Sequence, residues 1–340
     1  MKRIITMTIT LCLLLCLTAC SCSSCKSTPP TSEASYFLSN YKNKGIEEVE
    51  EVAVYTIKYK NNGEQASNGI KPNATGTFTT TLTNTTSTDA GIVFDEAIDC
   101  YKFTMDYELD GSYEYKEQSY KFTDKIVSTV WFLGVKDNLK PLKVERSVVC
   151  TTPYLEYTAN QNNDIQFLKF DFDYSIDYVT NDAKMQIVDN SVDKNLKKDA
   201  ETTIKNYFSN TFVENELLYF YPRAFKLNSS FSTTRQVITI DGKMDLNMKV
   251  SSFNSDLLCS EVKDVDNNVI ADNRINGKTQ TVKVDVVQYT NTGKYQSAPI
   301  SVYLANVNDT NNLFRVPVKI ETFVTLVGGF EYNLVEFSHN

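Results

Sequence analysis

Apolar and polar residues alternate one by one through much of this chain, and this period limits its possible folds more than any other feature. The longest example is IQFLKFDFDYSIDYV, residues 165–179, where every second side chain is large and apolar and Asp171, Asp173 and Asp177 lie between them. A period of two puts alternate side chains on opposite faces of a strand, so the segment predicts an antiparallel strand with one buried face. We interpret the three aspartates as solvated charges on its wet face.

The same alternation recurs along most of the chain. The composition agrees with it, because 20 Tyr and 19 Phe, together with many Thr, suit half-buried pleated surfaces. Asp110-Gly111 separates two such runs and predicts a two-residue hairpin, as does Gly328-Gly329 near the end. Other alternating runs are VEEVAVYTIKY (49–59), TGTFTTTL (75–82) and FRVPVKIETFVTLVGGFEYNLVEF (314–337).

One stretch departs from the period of two. Apolar residues recur every four positions between residues 191 and 208, which is typical of an amphipathic helix. ENELLYFY, residues 214–221, predicts a second short helix ended by Pro222. We therefore predict a mainly β fold: a curved antiparallel sheet, forming a half-barrel or open barrel, with a short helical insert near residues 191–221.

The beginning of the chain has the pattern of a targeting segment. Lys2 and Arg3 precede an apolar run, residues 4–17, that is too short for a standard transmembrane span. The run ends in Leu-Thr-Ala-Cys at residues 17–20, which resembles the lipobox of bacterial lipoproteins. That resemblance implies cleavage before Cys20 and a diacylglyceryl group on its thiol. The alternative is an ordinary secretory signal followed by free cysteines; a zinc site is disfavoured because no paired Cys or His motif follows.

These features divide the chain into a signal peptide (1–19), a flexible tether rich in Ser, Thr and Pro (20–35) and one large β-rich extracytoplasmic domain (36–340). Without its signal peptide the chain has 32 basic and 42 acidic residues, a net charge of −10. So acidic a chain repels phosphate backbones, which argues against nucleic-acid binding and against a polybasic membrane contact. We expect the lipid anchor alone to hold the protein on the outer face of a bacterial membrane.

Residues that carry chemistry are scarce, so we predict no enzyme activity, no metal and no cofactor. The single histidine, His339, lies beside the C-terminus, where we expect an exposed tail. The segment from Asp264 begins like a calcium loop but lacks its glycine and its glutamate, and we interpret it as a hairpin turn. Cys100, Cys150 and Cys259 are either isolated buried thiols or one disulfide with a spare thiol.

Three segments together resemble a known family. They are residues 122–147, with Leu-Lys-Pro-Leu between two strands, residues 214–227, with an apolar turn before Arg223, and residues 312–337, with a Val-Pro-Val strand and a glycine hairpin. In this order they are similar to an uncharacterised family of secreted bacterial domains. That family is thought to share the half-barrel fold of the periplasmic lipoprotein-sorting carriers. The resemblance implies a curved antiparallel sheet around helices, sometimes with a cavity for acyl chains.

Two functions follow as hypotheses. The first is a lipid-anchored module that binds a lipid or other hydrophobic ligand, with Leu217, Leu218, Phe220 and Tyr221 as candidate lining residues; ordinary core packing is their alternative role. The second is a structural or interaction lipoprotein that displays a β surface to an envelope protein or polysaccharide. A continuous apolar cavity would favour the first hypothesis, whereas a filled core with an exposed aromatic patch would favour the second.

Overall fold

The computed structural model of the protein describes residues 49–60, 71–115, 117–134, 139–151, 153–155, 165–167, 170–178, 182–191, 200–205, 207, 212–225, 227–239, 242–257, 261–271, 279–290, 299–305, 315–324 and 328–339.

Strands dominate these ranges, and no α-helix forms in them. In chain order the strands are β1 (Glu50–Lys60), β2 (Lys71–Thr86), β3 (Asp99–Tyr115), β4 (Gln118–Phe132), β5 (Pro141–Cys150), β6 (Pro153–Leu155), β7 (Ile165–Phe167), β8 (Phe170–Asp177), β9 (Ala183–Asp189), β10 (Ala200–Ile204), β11 (Ser232–Thr239), β12 (Gly242–Leu257), β13 (Val262–Lys263), β14 (Val269–Ala271), β15 (Thr279–Thr290), β16 (Ile300–Ala305), β17 (Pro317–Val324) and β18 (Gly328–His339).

Most strands belong to one antiparallel sheet, in the order β10-β9-β8-β5-β4-β3-β2-β1-β18-β17-β16-β15-β12-β11. The first and last strands, β1 and β18, pair in the middle of this order. Its two edges are therefore β10 and β11, which are consecutive in the chain. The short strand β13 pairs with β14 and in parallel with β18, while β6 and β7 form a separate ribbon.

The sheet is strongly curved. Lys243 Nζ at the start of β12 donates a hydrogen bond of 3.3 Å to the carbonyl oxygen of Lys205, the residue after β10. In a flat sheet with strands about 4.8 Å apart, twelve spacings would separate β10 and β12 by about 58 Å. Opposite ends of the order meet only because the sheet bends round. Within the described residues β10 and β11 do not pair, so the sheet stays open, and the predicted curved antiparallel sheet is confirmed.

The predicted alternation is confirmed where the strands are described. In β1 the side chains of Ala53, Tyr55 and Ile57 are buried, and in β8 the residues alternate between buried and more exposed positions. Asp173 and Asp177 are exposed, as expected for the wet face. The face that carries the main hydrophobic core, called the inner face below, receives side chains from strands along the whole sheet. The opposite face is called the outer face.

The predicted helix over residues 191–208 is wrong where its structure is described. Residues 200–204 form β10, which pairs antiparallel with β9, and residues 192–199 lie outside the described ranges. Residues spaced by four share a face in a strand as well as in a helix, so the pattern did not separate the two. Thr202, Thr203 and Ile204 are β-branched and favour the strand. In the described part of the insert, the helical turns are two short 3₁₀ helices, Asn215–Leu217 and Tyr221–Ala224. The prediction that Pro222 ends a helix is wrong, because Pro222 lies near the start of the second one.

The hairpin predicted at Asp110-Gly111 is also wrong. Strand β3 continues through Gly111, and its turn into β4 follows Tyr115, which pairs with Gln118. Gly111 is needed for space, because a Cβ atom there would lie 2.1 Å from the Phe122 ring. The second predicted hairpin is confirmed only as an antiparallel pairing of β17 with β18. Its turn is not at the two glycines, because Gly328 and Gly329 belong to β18 and pair with Val324 and Phe323.

Candidate functional site

The described part of the connection between the two edge strands packs on the inner side of the sheet. Its central segment, residues 212–225, contains the four predicted ligand-lining residues Leu217, Leu218, Phe220 and Tyr221, all of which are buried. The Phe220 ring packs 5.5 Å from the ring of Phe103 in β3 and 5.7 Å from that of Phe132 in β4, measured between centroids. These side chains belong to the hydrophobic core, and their role toward a ligand stays a prediction.

Buried charges hold the central segment in place. Arg223 donates two hydrogen bonds, of 2.6 and 2.8 Å, to the two carboxylate oxygens of Glu51 in β1, and both side chains are almost fully buried. Arg315 donates to the backbone oxygen of Phe225 over 2.7 Å. Bidentate pairs of this kind are geometrically specific, so the segment is tied to the middle of the sheet.

A second buried polar group lies on β4, β5 and β8. The Glu216 carboxylate forms an ion pair of 2.8 Å with Arg146, and it also accepts hydrogen bonds from Ser128 (3.1 Å) and Tyr174 (3.2 Å). Ser128, Arg146 and Tyr174 are direct cross-strand neighbours that point inward. Three adjacent strands therefore bind one side chain of the central segment.

Glu214 is fully buried beside this group. Its carboxylate accepts the backbone N–H of Glu216 and so caps the first 3₁₀ helix, and the Tyr178 hydroxyl lies 3.5 Å away. Burial, followed by the negative charge of Glu216, raises the pKa of Glu214 well above its usual value, although backbone hydrogen bonds oppose this. Two glutamates with different environments could in principle serve as acid and base. Here they lie within the packed core, which suits a role in positioning the segment.

The outer face carries an open groove of about 400 Å³ directly behind Ser128, Arg146 and Tyr174. We call it the outer groove. Its side chains form two cross-strand rows over β4, β5, β8 and β9, which are Val127, Ser147, Asp173 and Val188 in one row and Thr129, Glu145, Ser175 and Gln186 in the other. Most of these side chains are short, and the next row on one side is longer, with Trp131, Lys143 and Lys184.

Each of the two carboxylates of the outer groove has a neighbouring partner, an ion pair in one case and a hydrogen bond in the other. Lys143 Nζ lies 2.6 Å from Glu145 Oε1, and Asn190 donates its amide to Asp173 over 2.8 Å. Lys143 belongs to the next row, in which it pairs with Trp131 on one side and Asp177 on the other. The groove is thus polar and acceptor-rich, with cationic and amide donors at its margins.

Beside the outer groove, the loop between β2 and β3 (residues 87–98) covers Trp131 on the outer face. The indole N–H donates to Asp89 over 2.9 Å, and Lys143 donates to the carbonyl oxygen of Ala90 over 3.0 Å. Val93 in this loop is 91% exposed. Trp131, which lies in the row next to the outer groove, is therefore covered. Among the described residues of this part of the outer face, no exposed aromatic patch occurs.

Cys100 and Cys150 are buried and are not joined by a disulfide, which excludes one of the pairings left open by the sequence. Cys259 lies outside the described residues. No group of three or more His, Cys, Asp or Glu side chains that could hold a metal occurs within the described ranges. His339 ends β18 opposite Glu51 rather than lying in an exposed tail.

The hairpin turn predicted at Asp264 is confirmed. The Asp264 carboxylate accepts the backbone N–H groups of Asp266 and Asn268 over 2.9 and 2.8 Å and closes the turn between β13 and β14. This oxygen is used within the turn, as in an Asx turn.

Sequence reasoning missed the outer groove. Alternation identified Asp173 and Ser175 as outward residues of β8, but it did not indicate that β5 and β9 lie on either side of them. The sequence predicts Glu214 and Glu216 within a short helix, and nothing in the pattern around them indicates a buried ion pair.

Comparisons with protein-family models, with curated proteins and with solved structures found no match to this chain. In the part of the chain that the structure describes, no helix has the length and apolar character needed to cross a membrane. Cys20 lies outside that part, so its lipidation stays a prediction, as does the resemblance to the half-barrel family.

Proposed function

We propose that this protein is a lipid-anchored component of the bacterial cell envelope that acts without catalysis, by displaying the outer face of its sheet to another envelope component. One observation carries the proposal: the central segment packs into the core on the inner side, while the outer face has the outer groove. The packed and ion-paired central segment makes the sheet a firm support, and binding sites on a firm support are held in position.

The anchor is the Cys20 thiol of the lipobox. The predicted tether from Cys20 to Ser35 takes 15 steps, which allow a span of up to about 50 Å when fully extended. Two acyl chains suffice for stable anchoring. An anchored domain on such a tether would search the space near the membrane for a fixed partner.

Binding of a hydrophobic ligand on the inner side is less well supported. A ligand there would have to displace side chains such as Phe220, and with them the segment that Arg223 ties to Glu51. Breaking a buried ion pair costs about 3–5 kcal/mol, so the segment would resist leaving. If native mass spectrometry found a co-purified lipid, or the protein took up a fatty-acid probe, the carrier function would replace the one proposed here.

The anchor is tested in cells by metabolic palmitate labelling of Cys20→Ala, with Cys22→Ala as the matched control. We expect Cys20→Ala to lose the label and the membrane association, and the control to keep both. Labelling that persists in Cys20→Ala would overturn the anchor.

Display is tested by co-sedimentation of the full chain carrying Cys20→Ala with delipidated envelope fractions. Ser147→Arg would fill the outer groove, whereas Thr77→Arg places the same side chain on an exposed outer position of β2, outside the groove. We expect binding to the envelope that is lost in Ser147→Arg and kept in Thr77→Arg. Equal binding of the two variants, or no binding by the parent chain, would contradict display through the groove.

A further inference from the structure

The shape of the outer groove indicates an elongated ligand. Its two rows cross four strands, so its long axis runs perpendicular to them over three strand spacings, about 14 Å. Its width is set by two outward positions on each strand, about 7 Å apart. A groove of these proportions fits a short stretch of a linear polymer better than a compact small molecule.

The side chains of the outer groove are those that recognise a polyhydroxylated ligand. Thr129, Ser147 and Ser175 offer hydroxyl groups that donate and accept, and Gln186 offers an amide that does the same. Val127 and Val188 lie at the two ends, and Val188 is 42% exposed. Sugar rings present hydroxyl groups at their edges and C–H groups on their faces, so both kinds of lining side chain would find a counterpart.

The charges around the groove select among polymers. Glu145 and Asp173 repel a polyanion, in line with the acidic composition of the chain. A polycation is disfavoured because Lys143 is already paired with Glu145, and Lys184 lies on the same margin opposite Asp177. Lys143 compensates the charge of Glu145, and Asp173 accepts a hydrogen bond from the neutral amide of Asn190. The acceptor capacity that these two carboxylates keep suits the hydroxyl groups of a neutral chain.

We propose that the outer groove binds a neutral polysaccharide, with consecutive sugar units lying across β4, β5, β8 and β9. This inference rests on the proposed function and names the partner class for the same surface. Hydroxyl groups of the glycan donate to Asp173 and Glu145 and exchange hydrogen bonds with the Ser, Thr and Gln side chains. The two valines contact the C–H faces of the terminal bound units.

Binding is measured by calorimetry and native mass spectrometry on the full chain carrying Cys20→Ala. The probes are hexasaccharides of α-1,4-glucan, β-1,4-glucan and β-1,4-mannan, with heparin and a tri-lysine peptide as charged comparisons. We expect at least one neutral hexasaccharide to bind, with an affinity that does not fall when salt is raised, because a neutral ligand gains nothing from screened charges.

Variants connect this binding to the groove. Asp173→Ala and Gln186→Ala each remove hydrogen bonds and should weaken hexasaccharide binding about tenfold, while Thr77→Ala, outside the groove, should leave it unchanged. Asp173→Asn keeps an acceptor oxygen, so it should retain more saccharide binding than Asp173→Ala. Binding of a cationic ligand would instead be lost equally in both Asp173 variants, because both remove the negative charge.

Three outcomes would overturn the inference: no neutral hexasaccharide binds, the groove variants bind like the parent chain, or only heparin or the tri-lysine peptide binds. The first of these is distinguishable from failure of the proposed function. If Ser147→Arg still abolishes envelope association while no saccharide binds, display through the groove stands and the partner is of another class.

Discussion

Ion pairs on the two faces of the sheet differ in burial and in what they hold together. On the inner face, Glu51 and Arg223 are 2% and 3% exposed and join residues 172 positions apart. On the outer face, Glu321 and Glu331 share two lysines, Lys319 and Lys60, whose side chains are 14% and 55% exposed. The inner pair determines where the central segment lies, whereas the outer network joins side chains of strands that the backbone already pairs.

Ion pairs therefore serve two purposes in this fold: the inner pair positions a segment, and the outer network joins side chains of paired strands. A buried charge cannot be left alone, so its partner is strongly specified. An exposed charge is well solvated, and its pair adds little to stability. The outer face can therefore vary in side-chain length and charge, and one part of it forms the outer groove without disturbing the core.

The largest expected effect comes from breaking the inner pair. Arg223→Met should lower the free energy of unfolding by about 3–5 kcal/mol, because Glu51 is left charged and buried without its main partner. Urea denaturation followed by circular dichroism measures the change. The double variant Glu51→Gln with Arg223→Met should recover part of the lost free energy of unfolding. If Arg223→Met lost no more stability than a variant of an exposed ion pair, the inner pair would contribute no more than such a pair.

The second-largest effect is expected in the pH dependence of stability and comes from Glu214. This residue faces Glu216, Tyr174 and Tyr178, and Arg146 is paired with Glu216 nearby. Its folded-state pKa is raised above the unfolded value, so its stabilising contribution is complete below about pH 4.5 and is lost as pH rises through the folded-state pKa. Over that window the slope is about 1.4 kcal/mol per pH unit. Glu214→Gln, which resembles the protonated acid, should remove this slope in denaturation experiments at several pH values. An unchanged slope would mean that Glu214 is not its source.

A smaller effect is expected on the outer network. Partial burial acts to raise the pKa of Glu321, but Lys319, Tyr303 and Lys60 outweigh it and lower the pKa to about 2. The stabilisation of the folded state that follows from this lowered pKa is present above pH 4.5 and is lost as pH falls through about 2. Lys319→Met should cost about 1 kcal/mol or less at pH 7. The cost should shrink further near pH 2 and in high salt, and a cost as large as that of Arg223→Met would remove the contrast between the faces.

The smallest effect is expected in the outer groove. Ser147 is exposed, so Ser147→Arg should change the free energy of unfolding by about 0.5 kcal/mol or less, as should Thr77→Arg. Thermal denaturation of both variants measures this. A strongly destabilised Ser147→Arg would mean that the groove belongs to the structural framework, and its loss of envelope binding would then have to be reinterpreted.

Much of the local structure was predictable from the sequence. The two faces of β1 and β8 followed from alternation, because a period of two buries Tyr55 and Ile57 together and exposes Asp173 and Asp177 on the opposite face of β8 from Phe172 and Tyr174. Local pattern failed where it fits two structures equally well. The four-residue spacing through Ile204 suits a strand and a helix, and Gly111 signals a turn as readily as a place where a ring packs on the backbone.

The candidate site was predictable only in part. The segment 214–221 was recognised as apolar and inserted between strands, but Glu214 and Glu216 gave no sign that they would be buried against Arg146 and Tyr178. Likewise, the eight side chains of the outer groove come from four strands spread over residues 127–188. Their proximity depends on strand order, which alternation within one strand does not specify.

The mainly β character, the inward and outward side chains of the strands and the expected lipid anchor at Cys20 can all be inferred from the sequence alone. These are local properties, set by the period of the side chains and by short motifs. Three further features are apparent only from the three-dimensional structure: β1 pairs with β18, the consecutive strands β10 and β11 form the two edges, and the central segment between them packs into the core. Such contacts join residues far apart in the chain, and their free energy depends on burial and pairing that appear only when the sheet has curved round.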